Sequence, residues 1–266
     1  RWLCISLLAY IAVMFVADVR WDQVVRDLLV PGFTWTKLDI AMLIALAGTT
    51  ISPYLFFWQS AEEVEERHRI ENYRVSTGHI RAMRVDVFVG MLTGVIVMAS
   101  IMITAAATLH ENGITDIQTA EQAAAALKPI AGDYAGALFL VGIVGVGLLS
   151  VPVLAGASAY AIAETFGWRE SLEKRPSQAR AFYAVLFISI LVGLSLNLIG
   201  LNPMSFLFIA AVTNGLAAPI LMGVVWWLAN DTQLLGKWRS PLWSRILLGI
   251  ATLAMALLPL LWVLAP

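Results

Sequence analysis

Long apolar runs alternate with short polar connections along most of this chain. A helix needs about 20 apolar residues to cross a bilayer, and seven runs come close to that length. They cover residues 2–19, 38–60, 83–109, 134–163, 181–199, 204–228 and 243–264. Residues 114–131 are helix-like but more polar, and we expect them to lie on the surface. The pattern therefore predicts an all-α polytopic membrane protein, with residues 1–266 forming one transmembrane domain.

The second predicted span contains a sequence that should interrupt its helix. Residues 48–54 read Gly-Thr-Thr-Ile-Ser-Pro-Tyr, which places a proline among small and hydroxyl residues at membrane depth. Pro53 has no N–H, and its ring clashes with the carbonyl four residues earlier. Carbonyls freed in this way are tolerated in a membrane only where protein or a cavity covers them, and in secondary transporters that cavity holds the ion. A proline kink stabilised by Ser and Thr side chains is the alternative interpretation.

Composition excludes several classes of protein. Apolar residues make up 60% of the chain and charged residues 13%, and the mean hydropathy is +0.81. The chain has too few charged residues to cover the surface of a soluble domain, so that class is excluded. The net charge of −1 argues against nucleic-acid binding. The single cysteine, Cys4, leaves no thiolate cluster, and we expect no cofactor. No paired carboxylates or His with a nucleophile lie at membrane depth, so we predict that the chain is not an enzyme.

The basic residues predict an orientation. Thirteen of the 17 Lys and Arg residues belong to one side of the predicted topology, which includes the loop after the second span. The other side has Arg20, Arg26, Lys37 and Lys128. Because cytoplasmic loops carry the excess of Lys and Arg, we predict that the loop after the second span is cytoplasmic and the C-terminus is outside.

Three segments carry a resemblance to a known family. Residues 48–54, 104–110 and 147–156, with the Glu-rich stretch after the break, resemble the Nramp family of divalent metal transporters from its fifth helix to its eleventh. The resemblance implies two inverted five-helix repeats. Residues 1–19 would be the last helix of the first repeat, 38–228 the second repeat, and 243–264 an extra helix. The chain starts at Arg1, so we expect it to be the later part of a longer protein whose missing N-terminal helices complete the site.

The same resemblance assigns candidate ligands within the break. The family's broken sixth helix carries Met-Pro-His, and its methionine sulfur and a carbonyl about three residues earlier contact the metal. Here Ser52 takes the methionine position, Thr49 the carbonyl position and Tyr54 the histidine position, while Gln59 replaces a second histidine. Only the proline matches. These departures favour the divergent Nramp-related branch that resembles magnesium transporters, and they leave proton coupling doubtful.

The chemistry of the candidate ligands also favours the branch that resembles magnesium transporters. Thioethers favour softer metals, whereas hydroxyl and carbonyl oxygens suit Mg²⁺ and Mn²⁺, so Ser52 makes the site harder. Asn214 lies near the middle of the sixth span, where Pro219 can free more backbone. It is a further candidate ligand, with an interhelical hydrogen bond as the alternative.

These observations lead to a functional prediction. We predict secondary transport of a divalent metal cation, with Mg²⁺ or Mn²⁺ favoured, by alternating access through a lipid bilayer. The localisation that we expect is a prokaryotic plasma membrane. A non-transporting membrane subunit and an organic-solute carrier of the same architecture are the alternatives.

Overall fold

The computed structural model describes residues 8–16, 19–30, 32, 35–69, 76–114, 117–119, 122, 133–172, 174–200 and 202–265. Within these ranges the regular structure is helical and contains no strand. The helices are α1 (Leu8–Val16), α2 (Trp21–Leu29), α3 (Lys37–Thr50), α4 (Pro53–Arg69), α5 (Thr77–Ala105), α6 (Asp133–Thr165), α7 (Arg180–Leu198), α8 (Pro203–Asn230), α9 (Thr232–Leu235) and α10 (Leu242–Leu264). A π-helical turn, Ala106–His110, extends α5, and a 3₁₀ turn, Gly236–Trp238, follows α9.

Five stretches of the described chain are long and apolar enough to cross a membrane. They are Lys37–Arg67, Thr77–His110, Leu140–Thr165, Pro203–Asn230 and Leu242–Leu264. These stretches correspond to predicted spans two, three, four, six and seven, and they confirm a polytopic, all-helical membrane protein. The fifth predicted span coincides with α7, whose apolar stretch Arg180–Leu196 is shorter. Only Leu8–Val16 of the first predicted span is described as helix, so the seven spans and the inverted repeats stay predictions.

The predicted surface helix at 114–131 falls mostly outside the described residues. Helices α3 and α5 begin with side-chain caps. Thr36 Oγ1 accepts the Asp39 N–H and Asp39 Oδ2 accepts the Thr36 N–H, which together satisfy two free donors at the start of α3. Ser76 accepts the His79 N–H at the start of α5. The caps fix where these helices begin.

The chain divides into two compact units. The first comprises Arg1–Pro31 and Phe57–Met204, and the second comprises Gly32–Phe56 and Ser205–Pro266. In the first unit α1 packs on α5 and α6, and α6 packs on α7. Its buried core is centred on Tyr160 and Phe182, with Ala159, Ala163 and Ala179 around them. In the second unit α3 packs on α10, and the core contains Ala218, Met222 and Met255.

Small residues let neighbouring side chains lie against the backbone of α6, as its glycine-rich sequence suggests. A Cβ added at Gly142 would lie 2.7 Å from the Tyr10 ring, and one at Gly156 would lie 2.5 Å from the Trp58 indole. Aromatic side chains therefore occupy the space that a larger residue would need. Gly147 has open space around it, so only part of the glycine pattern reflects packing.

An ion pair in the first unit bears on topology. Arg20 Nη2 lies against Glu111 Oε1 and donates a hydrogen bond to it. Arg20 follows the first predicted span, and Glu111 follows the π-helical turn at the end of the third. The pair brings these two ends together, which agrees with a topology in which both spans finish on the same side of the membrane.

Candidate metal site

The second span is broken at the predicted position. Helix α3 ends at Thr50 and α4 begins at Pro53, with Ile51 and Ser52 outside both helices. Ile51 has φ −109° and ψ 67°, and its N–H makes the last helical hydrogen bond of α3, 2.8 Å from the Ala47 carbonyl oxygen. The prediction of a discontinuous helix within residues 48–54 is confirmed. Its cause is the missing N–H of Pro53.

Ser52 replaces the hydrogen-bond donor that the proline removes. The residue is 2% exposed, and its hydroxyl shares its one proton between the carbonyl oxygens of Gly48, at 3.1 Å, and Thr49, at 2.9 Å. Thr49 is the residue four positions before Pro53, so its carbonyl is the one that the proline cannot serve. A carbonyl oxygen has two lone pairs, and a hydroxyl oxygen keeps its lone pairs when it donates. Both Thr49 O and Ser52 Oγ therefore retain capacity to accept from water or to bind a cation.

The neighbouring hydroxyls are directed back along α3. Thr49 Oγ1 and Thr50 Oγ1 both donate to the Leu46 carbonyl, at 2.9 and 2.8 Å. The resemblance makes the Thr49 carbonyl the candidate ligand, while the Thr49 hydroxyl donates its proton within α3. Tyr54 lies in the first turn of α4 and is half-buried.

Asn214 lies in the helix that crosses the end of α3. A Cβ added at Gly48 would lie 2.3 Å from both the Ala211 carbonyl oxygen and the Gly215 nitrogen. A Cβ added at Gly215 would lie 2.3 Å from the Ile44 carbonyl oxygen. The backbones of α3 and α8 are therefore in direct contact, and half-buried Asn214 occupies the turn of α8 beside this contact.

A second carbonyl that loses its hydrogen-bond donor lies at the same contact between α3 and α8. Pro219 lies inside α8, which continues from Pro203 to Asn230 without a break. It cannot donate to the carbonyl of Gly215, four residues earlier. The contact between Gly48 and Gly215 was not predicted from the sequence. The available signal was that Gly215 stands four residues before a proline, as Thr49 does.

Acidic residues of α4 line a separate cavity in the first unit. Glu62, Glu63 and Glu66, with Asp86 of α5, surround a cavity of about 330 Å³ beside Trp58 and Gln59. Gln59, at the position of the family's second histidine, donates to Glu63 Oε1 at 3.2 Å. Across the described ranges, no three His, Cys, Asp or Glu side chains are arranged to hold a metal ion.

The fold and the break together define a class. Broken helices at membrane depth, with backbone oxygens covered by a neighbouring helix, are typical of polytopic membrane proteins that bind ions, above all secondary transporters. The family model described as "Natural resistance-associated macrophage protein-like", or Nramp, matches residues 1–265. The chain belongs to the Nramp family.

Individual relatives agree with this assignment. The protein of Vibrio campbellii is 27% identical over 235 residues, which cover 88% of this chain and 52% of the relative. That of Verminephrobacter eiseniae is 25% identical, over 93% of this chain and 53% of the relative. That of Clostridium acetobutylicum is 23% identical, over 86% and 50%. Each is named a divalent metal cation transporter MntH. The chain spans about half the length of these relatives. Their names describe transporters, which agrees with the prediction that this chain is not an enzyme.

Proposed function

We propose that this chain forms part of a secondary transporter that moves a divalent metal cation by alternating access, with the cation at the break between α3 and α4. The observation that supports the proposal most directly is the Thr49–Ser52 pair. A freed carbonyl and a hydroxyl lie 2.9 Å apart at membrane depth, where unpaired oxygens are costly. The names of the relatives supply the class of substrate.

The electrostatics of the break favour a cation. The carboxyl end of α3 carries the negative end of the helix dipole, equivalent to roughly half an elementary charge. Thr49 O lies at this end. Asn214, in the turn of α8 that touches α3, offers a neutral amide oxygen as a further ligand. We propose that a charged ligand comes from the half of the family's length that this chain does not cover.

Hard oxygen ligands indicate the kind of metal. Nothing at position 52 offers the thioether that favours softer ions, and Mg²⁺ prefers oxygen ligands and retains water. We therefore propose Mg²⁺ or Mn²⁺ as the cargo and the divergent, magnesium-type branch of the family. Tyr54 and Gln59 replace the two histidines of the family pattern, which argues against proton coupling through these positions.

Burial of Ser52 implies that access requires movement. At 2% exposure its oxygen cannot contact an ion in this conformation. Opening of the break would expose the lone pairs of Ser52 Oγ and Thr49 O together, because one hydrogen bond joins them. Such a coupled change is what alternating access demands of a binding site. The bacterial origin of the relatives favours a prokaryotic plasma membrane.

The test uses the complete protein in proteoliposomes with Ser52→Met. We expect the uptake ratio of Cd²⁺ or Mn²⁺ to Mg²⁺ to rise about tenfold, which corresponds to about 1.4 kcal/mol in relative binding. Ser60→Met is the matched control, because Ser60 is exposed on α4 and its hydroxyl bonds the Phe57 carbonyl. Equal ratios for both variants would remove Ser52 from the ion path. Absence of any metal-dependent uptake by the wild type would favour a non-transporting subunit, and uptake of an organic solute instead would favour that alternative.

A further inference from the structure

A groove in the second unit lies where two membrane-crossing helices end. Its volume is about 350 Å³, and its walls include Trp226 and Asn230 of α8 and Arg245, Ile246, Ile250 and Leu253 of α10. Asn230 is the last residue of α8, and Arg245 lies in the first turn of α10. The groove therefore starts at the membrane boundary and continues along α10 toward the apolar interior.

Arg245 has a positive charge that the described residues do not neutralise. Its Nη1 donates to the neutral Asn230 Oδ1 at 2.8 Å, and its Nε is buried without an acceptor. Throughout the described ranges, no carboxylate forms an ion pair with it. Its place near the amino end of α10 adds unfavourable interaction with the helix dipole. An anion from outside the chain would neutralise the arginine charge and would also interact favourably with the amino end of α10.

The rest of the groove is apolar and well defined. Trp226 Nε1 donates to the Arg245 carbonyl at 3.0 Å, which fixes the indole against α10. Gly249 permits this close approach, because a Cβ there would lie 2.9 Å from Trp226 Nε1. Ile246, Ile250 and Leu253 are 51%, 60% and 62% exposed and follow one face of the helix. That stripe has the length and chemistry to contact an acyl chain.

We propose that this groove binds an anionic phospholipid, with its phosphate beside Arg245 and one acyl chain along the stripe of α10. An anionic lipid fits better than a zwitterionic one because the arginine charge lacks a carboxylate partner. Lys237 and Arg239 lie in the same connection between α8 and α10 and add positive charge. Basic pockets between membrane helices are a recurrent setting for anionic head groups. The proposal concerns lipid binding and is independent of the transport proposal.

The experiment measures lipid binding by native mass spectrometry of the complete purified protein, titrated with dioleoylphosphatidylglycerol or dioleoylphosphatidylcholine. We expect the wild type to bind the glycerol lipid more tightly. Arg245→Gln should weaken that binding about fivefold, the effect of one cation near a lipid surface, and weaken binding of the choline lipid less, because the choline cation offsets its phosphate. Arg239→Gln is the matched control, since Arg239 is exposed and lies outside the groove walls; it should weaken binding by less than twofold.

A second variant keeps the arginine and obstructs the acyl chain. Ile250→Trp introduces a large side chain at an exposed apolar position of the groove, so folding should be retained. We expect it to reduce binding of the glycerol lipid severalfold. Equal losses for Arg245→Gln and Arg239→Gln would overturn the proposal and indicate a diffuse effect of charge. Unchanged binding in Ile250→Trp would equally overturn it, even if Arg245→Gln failed to fold.

Discussion

Tyr160 Oη donates a hydrogen bond to Glu65 Oε1 at 2.5 Å and joins α6 to α4, the helix that follows the break. The same hydroxyl accepts the Leu172 N–H at 3.2 Å, which attaches the loop after α6. The Trp58 ring meets the Tyr160 ring edge-on at 6.0 Å between centroids, and Phe182 packs at 4.8 Å. A charged hydrogen bond within an aromatic cluster therefore fixes part of α4 to the rest of the first unit.

Removing this hydroxyl should weaken the attachment of α4. Tyr160→Phe leaves the buried ring in place and deletes a hydrogen bond to a carboxylate, so we expect a loss of about 2 kcal/mol in the free energy of unfolding. Tyr183→Phe is the control, because the Tyr183 hydroxyl bonds the neutral carbonyls of Leu172 and Lys174; its cost should be about 1 kcal/mol. Denaturant titration of the complete protein in detergent measures both. Equal stability of Tyr160→Phe and wild type would show that the hydrogen bond contributes nothing.

Glu170 should make stability depend on pH. Burial raises the pKa of its carboxyl group above the ordinary 4.5, nearby Glu164 and Glu65 raise it further, and Lys174 lowers it. Its Oε2 is buried without a hydrogen-bond donor. Because the folded state binds the proton more tightly than the unfolded state, this group stabilises the fold most below pH 4.5. That contribution is lost as pH rises through the folded pKa.

Glu170→Gln removes the titration and supplies the measurement. Relative to wild type, the variant should have a higher melting temperature at pH 8, and the difference should decrease as pH falls toward 4.5. Lys174→Gln should act in the opposite direction, because loss of the cation raises the pKa of Glu170 further and increases its cost at pH 8. A difference between Glu170→Gln and wild type that is constant with pH would contradict the assigned burial.

The break was predictable because its cause is local. Pro53 lacks an N–H wherever it stands, so the sequence alone indicates which carbonyl loses its donor. Stabilisation of the kink by Ser and Thr side chains was the stated alternative, and the hydrogen bonds of Ser52 agree with it. That Ser52 in particular would serve the Thr49 carbonyl was not predicted, since it depends on the side-chain conformation at the break. The Tyr160–Glu65 bond joins residues 95 positions apart, and no periodicity of α4 or α6 indicates which faces meet. The assignment of metal ligands stays a prediction for measurements of ion binding; it comprises Thr49, Ser52, Tyr54 and Asn214.

The predicted orientation places the start of α5 in the cytoplasm. A cysteine introduced at Thr77, with Cys4 replaced by Ser, should resist a membrane-impermeant maleimide in intact cells and react after permeabilisation. Thr77 is exposed at the first turn of α5, so access would not be limited by burial. Asn112→Cys is the control for the other side, because Asn112 is exposed in the turn after α5. Labelling of Thr77→Cys in intact cells would reverse the topology.

The contact between Gly48 and Gly215 predicts that alanine will have different effects on stability at two glycines of α8, Gly215 and Gly223. A Cβ at Gly215 would meet the Ile44 carbonyl oxygen at 2.3 Å and its Cγ2 at 2.6 Å. Backbone atoms cannot rotate away, so α3 and α8 must separate, at a cost of about 1–3 kcal/mol. Gly223, two turns later in α8, has nothing within 4 Å of an added Cβ. There alanine should be neutral or stabilise by up to about 1 kcal/mol through helix propensity.

Stability and uptake together test this contact. Gly215→Ala should lower the melting temperature of the complete protein and reduce metal uptake, because it displaces the end of α3 that carries Thr49 O. Gly223→Ala should retain both, which separates an effect at the crossing from a general intolerance of α8 to alanine. Equal melting temperatures for the two variants would mean that α3 and α8 do not touch at these residues. In that case Asn214 would lose its structural reason to be a ligand, since the contact at Gly215 is what brings its turn beside the break.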